Sequence, residues 1–171
     1  VYKDLGNYQE AKTLLEEALK YYTAFYGNKH TKTAWLSVNL ACVYRNLGNS
    51  DQAIKLLEVA AKIYEQNTPK NCLENAWTLG HIGATYIDLD NLEKAEHALN
   101  KSLEMYAKLV DKDNMALGWI YYHLGRLYIK QGQMDKARNM LNKSLDTHTK
   151  NYGANNLKTQ KVVNTISSMK L

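Results

Sequence analysis

The chain has 171 residues, 45% hydrophobic and 23% charged, with a net charge of +5, an ordinary globular composition that excludes wholesale disorder and suggests one domain. No apolar run approaches the roughly 18 residues needed to span a bilayer, and no charged and apolar leader of a secretion signal can be claimed. One Pro and nine Gly leave too little punctuation for an all-β sandwich, so a mostly helical chain is predicted.

Residues 1–5 read as the tail of a helix whose start lies before Val1, so the sequence is expected to be a piece of a longer protein. Asn7 and Glu10 have the spacing of a capping box and predict the opening of the next helix, which carries Ala11 and Leu15. A linker follows at Tyr26–Thr31. The next helix has apolar residues at 36, 40, 43, 44 and 47, which is helical spacing, and Gly48 predicts its stop. A further helix gathers Ala53, Leu56, Leu57, Ala60, Ala61 and Tyr64 on one face. The same pair of helices then recurs twice.

The recurrence is a strict translation. Trp35, Trp77 and Trp119 are spaced by 42 and 42. The same step relates Tyr2, Tyr44, Tyr86 and Tyr128, the alanines 11, 53, 95 and 137, and the leucines 15, 57, 99 and 141. Gly6, Gly48 and Gly132 share a register in which Asp90 replaces Gly. Leu40, Ile82 and Leu124 align, as do Ala41, Gly83 and Gly125. Fixed-period similarity of this kind marks a repeat architecture. The units are predicted as a partial repeat over 1–33, full repeats over 34–75, 76–117 and 118–159, and a capping helix over 160–171. Gln160–Met169 continues the pattern with Ile166 in the Leu124 column, Ser167 in the Gly125 column and Lys161 in the Trp column. A polar helix of this kind covers the last apolar face of a stack, so the natural C-terminus is expected near Leu171.

Small residues at 41/83/125 and 53/95/137 let paired helices approach closely, and Ala53→Leu is expected to overpack that contact by roughly 1–3 kcal/mol. Residues 126–171 carry nine Lys/Arg against two Asp, while residues 1–125 carry thirteen against fifteen acids. The scattered lysines lack the aromatic interleaving of a nucleic-acid reader, so they read as a solvated end and no nucleic-acid partner is expected. Two Cys without a CxxC pair fit a reducing, cytoplasmic setting.

Asn39-Leu40-Ala41-x-x-Tyr44-x-x-Leu47-Gly48 and Ala53-x-x-Leu56-Leu57-x-x-Ala60 resemble the tetratricopeptide repeat. The 42-residue period looks like its kinesin light chain type, and Tyr26-Gly27-Asn28-Lys29-His30-Thr31 is similar to the linker of that type, echoed at Asn151-Tyr152-Gly153. The linkers at 66–73 and 108–115 depart from it, and His81 and His123 stand where Asn39 is expected. The resemblance implies an all-α fold, a right-handed α-solenoid of antiparallel helix hairpins, whose first helices line a concave groove. Carried over by column, the peptide- or partner-binding residues are Trp35, Asn39, Arg45, Asn46, Trp77, His81, Asp88, Trp119, Tyr122, His123, Arg126 and Lys130. Asn39, His81 and His123 are expected to meet backbone amides, with the histidines adding charge as pH falls through about 6.5. Arg126 and Lys130 would favour a carboxylate. The Trp column serves either the groove or packing between units, and Tyr44, Tyr86 and Tyr128 are expected in the core.

No HExxH, Cys/His metal spacing, phosphate-cradling Gly loop or GxSxG elbow occurs. No catalytic residue, metal or cofactor is therefore expected. The predicted role is a protein-interaction scaffold or adaptor, with cargo binding of the kinesin light chain type as what the resemblance implies. The alternative is a regulatory or sensory arm of a larger multidomain enzyme or effector. Self-association through the exposed N-terminal edge is a third reading.

Overall fold

Two helices in every 42 residues require a sharp corner inside each unit and a link to the next. The computed structural model describes residues 5–69 and 72–169, with side chains from residue 7. Tyr2 of the tyrosine column and the expectations about Val1 and Leu171 lie outside the described residues. Among the described residues eight helices follow in order: α1 (Leu5–Tyr26), α2 (Thr31–Asn46), α3 (Ser50–Asn67), α4 (Leu73–Asp88), α5 (Leu92–Leu109), α6 (Met115–Lys130), α7 (Met134–Tyr152) and α8 (Leu157–Ser168). No strand occurs among the described residues. The even-numbered helices are the first members of hairpins and the odd-numbered ones the second, giving the all-α solenoid that the columns predict.

The corners are copies of one another. Gly48, Asp90 and Gly132 sit at φ +79°, +58° and +73°. Asn49 N donates to Tyr44 O at 2.8 Å, Asn91 N to Tyr86 O at 2.9 Å and Gln133 N to Tyr128 O at 2.8 Å. With the bonds from the 48, 90 and 132 amides to residues three back, this is the Schellman closure, which needs a left-handed residue. Asp tolerates that conformation better than most side chains, so Asp90 holds the register without Gly. Asn49 and Asn91 then cap α3 and α5 by accepting from Gln52 N and Lys94 N.

The first unit departs from this scheme. Gly6 makes no corner, because α1 runs unbroken from Leu5 through it. Asn7 and Glu10 therefore lie inside a helix, and the capping box expected there does not form.

Between units, two links follow one plan. Gly27 and Gly153 take φ +88° and +81°, Thr33 Oγ1 donates to Gly27 O at 2.9 Å and Thr159 Oγ1 to Gly153 O at 2.8 Å. Lys32 lies over the Tyr26 ring and Lys158 over the Tyr152 ring. The links after α3 and α5 instead leave through extended Thr68 and Val110.

Small residues set the hairpin spacing. A Cβ on Gly83 would lie 2.5 Å from Leu99 Cγ, and one on Gly125 2.6 Å from Leu141 Cγ. Ala53, Ala95 and Ala137 are fully buried. Ser102 Oγ donates to Ala76 O and Ser144 Oγ to Gly118 O, pinning second helices to their own first helices. The tyrosine column is only half-buried. Tyr44, Tyr86 and Tyr128 lay their rings against the core, but the hydroxyls of Tyr44 and Tyr86 donate outward to Glu16 and Glu58. The phenol needs a polar partner, which a fully apolar core would deny.

Candidate functional site

First helices touch one another, α2 with α4 and α4 with α6, so they form the inner wall of the stack. That wall holds a continuous ladder of rings. Trp77 meets His81 edge-on at 4.7 Å between centroids, His81 meets Trp119 at 4.6 Å, Trp119 meets His123 at 4.2 Å, and His123 meets Tyr122 at 5.3 Å. The i,i+4 spacing of Trp and His stacks each pair along one helix face, and the 42-residue translation sets the next pair beside it.

The ladder corrects three expectations. His81, His123 and Tyr122 are all buried, and of the three only His81 lines the cavity described below. Tyr122 is covered by α8, where Thr165 Oγ1 reaches its hydroxyl at 3.5 Å and Lys161 lies over its ring. Burial, with Arg45 adding, pushes the His81 pKa down to about 3. Burial likewise holds His123 well below the usual histidine range, helped by Arg45, Arg126, His81 and Lys161. Both rings stay neutral near pH 7, so the expected gain of charge near pH 6.5 is not available to them. Cys42 Sγ lies 3.4 Å from His81 Nδ1. Burial raises the Cys42 pKa to about 11, so the contact joins a neutral thiol to a neutral imidazole and leaves no activated nucleophile.

Asn39 and Asn46 turn back on their own helix: Asn39 Nδ2 donates to Trp35 O at 2.8 Å and Asn46 Nδ2 to Cys42 O at 2.7 Å. Their side-chain oxygens and second amide hydrogens are the groups left for a ligand. Trp35 is 51% exposed, whereas Trp77 and Trp119 are half-buried. The Trp column is thus open at Trp35 and packed into the ring ladder at Trp77 and Trp119. At the far end of the wall, Arg45, Asp88 and Arg126 form an ionic chain and Lys130 pairs with Asp90 at 2.8 Å.

Beside the Trp77–His81–Trp119 part of the ladder lies a cavity of about 460 Å³. Trp77, Trp119, Tyr106, Met115 and Ile120 make it largely apolar, and Asn39, His81, Ser102 and Lys158 give it polar points. Gly80 hollows it. The same column holds buried Val38 and Tyr122, and a Cβ on Gly80 would lie 3.1 Å from Trp119 and 3.2 Å from Ser102 Oγ. Tyr106, Met115, Tyr152 and Lys158 are absent from the predicted site residues: Tyr106 and Tyr152 reach the cavity from the second helices α5 and α7, and Met115 and Lys158 from the first turns of α6 and α8, ahead of the predicted columns. Two had signals in the sequence: Tyr106 repeats Tyr64 one period on, and Lys158 repeats Lys32 three periods on. Among the described residues, no three His, Cys, Asp or Glu side chains gather as a metal site. None of the described helices is long and apolar enough to cross a membrane.

A family model described as tetratricopeptide repeat matches residues 1–66 and 74–150. No curated protein matches the chain. Among solved structures, the chain is similar to BtubC (BKLC) from P. vanneervenii, with a TM-score of 0.72 and 19% identity, over 86% of this chain and 59% of that one. It is similar to a P. anserina protein of nearly identical TPR-like repeats named for the kinesin light chain, with a TM-score of 0.73 and 18% identity over 95% of this chain and 77% of that one. MamA is a further neighbour, with a TM-score of 0.56 and 18% identity over 98% of this chain and 93% of that one. At these identities the likeness is one of fold.

Proposed function

Because the chain belongs to the tetratricopeptide repeat family, whose repeats build protein-interaction scaffolds, we propose that it docks a peptide segment of a partner protein in its concave groove. The observation that carries this reading is the cavity beneath Trp77 and Trp119. It is concave, largely apolar and edged by a few polar groups, which is the usual composition of a ligand site. Trp and Tyr supply stiff apolar area with a polar edge and are enriched where binding energy concentrates. A bulky apolar side chain of the peptide would sit over Gly80. Asn39 would meet the peptide backbone through its free oxygen, and the cations at the far end of the wall would meet acidic groups.

Among scaffold roles, cargo docking of the kinesin light chain type is favoured by the 42-residue period and by the plan of the Tyr26–Thr31 link. The chain spans 59% of the P. vanneervenii protein, and what a longer protein would do with this scaffold belongs to the same proposal.

A peptide array probed with the purified chain tests it. Binders are expected, and Gly80→Val, which pushes a side chain against Trp119 and Ser102 in the cavity wall, should weaken them at least tenfold in a chain whose helical spectrum is unchanged. Trp35→Ala, on a half-exposed side chain outside the cavity, should weaken them less. Binding that survives Gly80→Val unchanged would place the peptide elsewhere.

A further inference from the structure

Three side chains from three helices meet at the lip of the cavity. Met115 opens α6, Tyr152 closes α7 and Lys158 lies in the first turn of α8, and all three line the cavity. Lys158 Nζ donates to Tyr152 Oη at 3.2 Å, and Tyr152 Oη donates to Met115 Sδ at 3.2 Å. The backbone just before Met115 is pinned to α7: Lys150 Nζ reaches Asp113 Oδ1 at 2.8 Å, and Asn151 Nδ2 donates to Asp113 O at 2.7 Å. Tyr26 takes the same bond from Lys32, but the period brings sulfur to this position in one unit only, because the Met115 column holds Thr31 and Leu73.

A thioether is a weak acceptor, so the two donors in series end on a poor partner. An oxygen added to that sulfur would be a better one. The sulfur is also reachable. Met115 is 51% exposed, against 5% for Met105, while Met140 and Met169 are half-buried. Met134 is as open, at 48%, but it lies outside the cavity and no donor meets its sulfur among the described residues.

We propose that Met115 is an oxidation site: a peroxide converts its thioether to the sulfoxide, and the sulfoxide weakens the hold on a docked peptide. The proposal rests on the groove-docking reading above. The sulfur lone pair attacks one oxygen of hydrogen peroxide. An S–O bond forms as the O–O bond breaks, and the hydrogen on the transferred oxygen passes to the departing hydroxide, which leaves as water. Sulfur is oxidised by two electrons and the peroxide is reduced by two. The new oxygen then accepts from Tyr152 Oη. An adaptable apolar side chain on the lip becomes a polar one, and an apolar peptide side chain entering the cavity has to displace its hydrogen bond or its water. A reductase that returns the sulfoxide to the thioether resets the lip.

The test treats the 171-residue chain with hydrogen peroxide, then with a thiol to restore oxidised cysteine, and locates the added oxygen by peptide mass spectrometry. Met115 and Met134 should be oxidised well before Met105. The peptides that the array selects on the untreated chain serve as the probe. The oxidised chain should bind them roughly two- to tenfold more weakly, the order of one methionine contact with an aromatic wall, and methionine sulfoxide reductase should restore the affinity. Met115→Leu should bind them equally before and after peroxide. Met115→Gln should bind as weakly as the oxidised chain without treatment, and Met134→Leu should leave the peroxide response in place. Unchanged binding by a chain that carries the sulfoxide at Met115, a response that persists in Met115→Leu, or oxidation of Met115 no faster than that of Met105 overturns the proposal. An array with no binder for the untreated chain removes the docking reading, whereas binders indifferent to the sulfoxide remove the oxidation site alone.

Discussion

The two ends of the stack obey the same register and present opposite surfaces. In α3, α5 and α7 the column of Ile63, Met105 and Thr147 is buried at 6%, 5% and 6% exposure, and its α1 member, Tyr21, is 75% exposed. Tyr22, Phe25 and Leu14 are also open on α1. At the other end, α8 buries Thr159 and Val162 against the stack. On the side where a hairpin partner would lie, it carries exposed Gln160, Asn164 and Ser167, where α4 and α6 have Ala76, Gly80 and Gly83 or Gly118, Tyr122 and Gly125. The α8 end carries polar groups there, and the α1 end displays the apolar face that is covered in the interior units. A column therefore fixes which way a side chain points, and the neighbour present decides what it meets.

Matched substitutions should show this contrast most strongly. Leu57, Leu99 and Leu141 are almost fully buried, while Leu15 in the same column is half-buried. Leu99→Ala and Leu141→Ala should each cost about 3 kcal/mol in denaturant unfolding, and Leu15→Ala less than half of that. Equal costs would break the contrast between interior and end.

Acid should loosen the interior before the ends. His81 has its folded pKa lowered to about 3 by burial, so its contribution to stability is full above the unfolded value of about 6.5. It is lost progressively as pH falls from there toward the folded value, because only the unfolded state then takes up the proton. By pH 5 the loss from this one ring should be about 2 kcal/mol. His123 adds a loss of the same sign. Hydrogen exchange across pH 7.5 to 5 should lose protection first in α4 and α6, and His81→Asn should flatten the profile.

Smaller effects sharpen the comparison at the surface. An apolar dye should report the open α1 face, and Tyr21→Lys with Phe25→Lys should reduce its binding, whereas Gln160→Leu with Asn164→Leu should create a new site on α8. The smallest expected change is at a corner. Asp90→Gly relieves a left-handed side chain at φ +58° but gives up an exposed pair with Lys130, and should stabilise by about 0.5 kcal/mol.

The period carried most of the fold into view, because the corner geometry depends on one left-handed position that the Gly48, Asp90 and Gly132 register marks. It misled at Asn7 and Glu10, where the local cap pattern is present but the chain does not turn. The groove was legible in its location and less so in its chemistry. His81 and His123 replace a groove asparagine, and only the sideways offset of neighbouring helices reveals that each ring lies against the tryptophan of the next unit or its own. Tyr106 enters from a second helix, and Met115 and Lys158 from the first turns of α6 and α8, ahead of the columns that the Trp register marks.

The corners also set where this chain can change length. Each spans three residues between helices, at 47–49, 89–91 and 131–133, and all three close with the same backbone bonds. One extra residue there would break the shared Schellman closure and shift each second helix against its first, scrambling the inner wall. The links already differ, with four residues after α1 and α7 and five after α3 and α5. Loops, labels or tethers grafted into this protein belong at those junctions, where the superhelix already accommodates an uneven stitch.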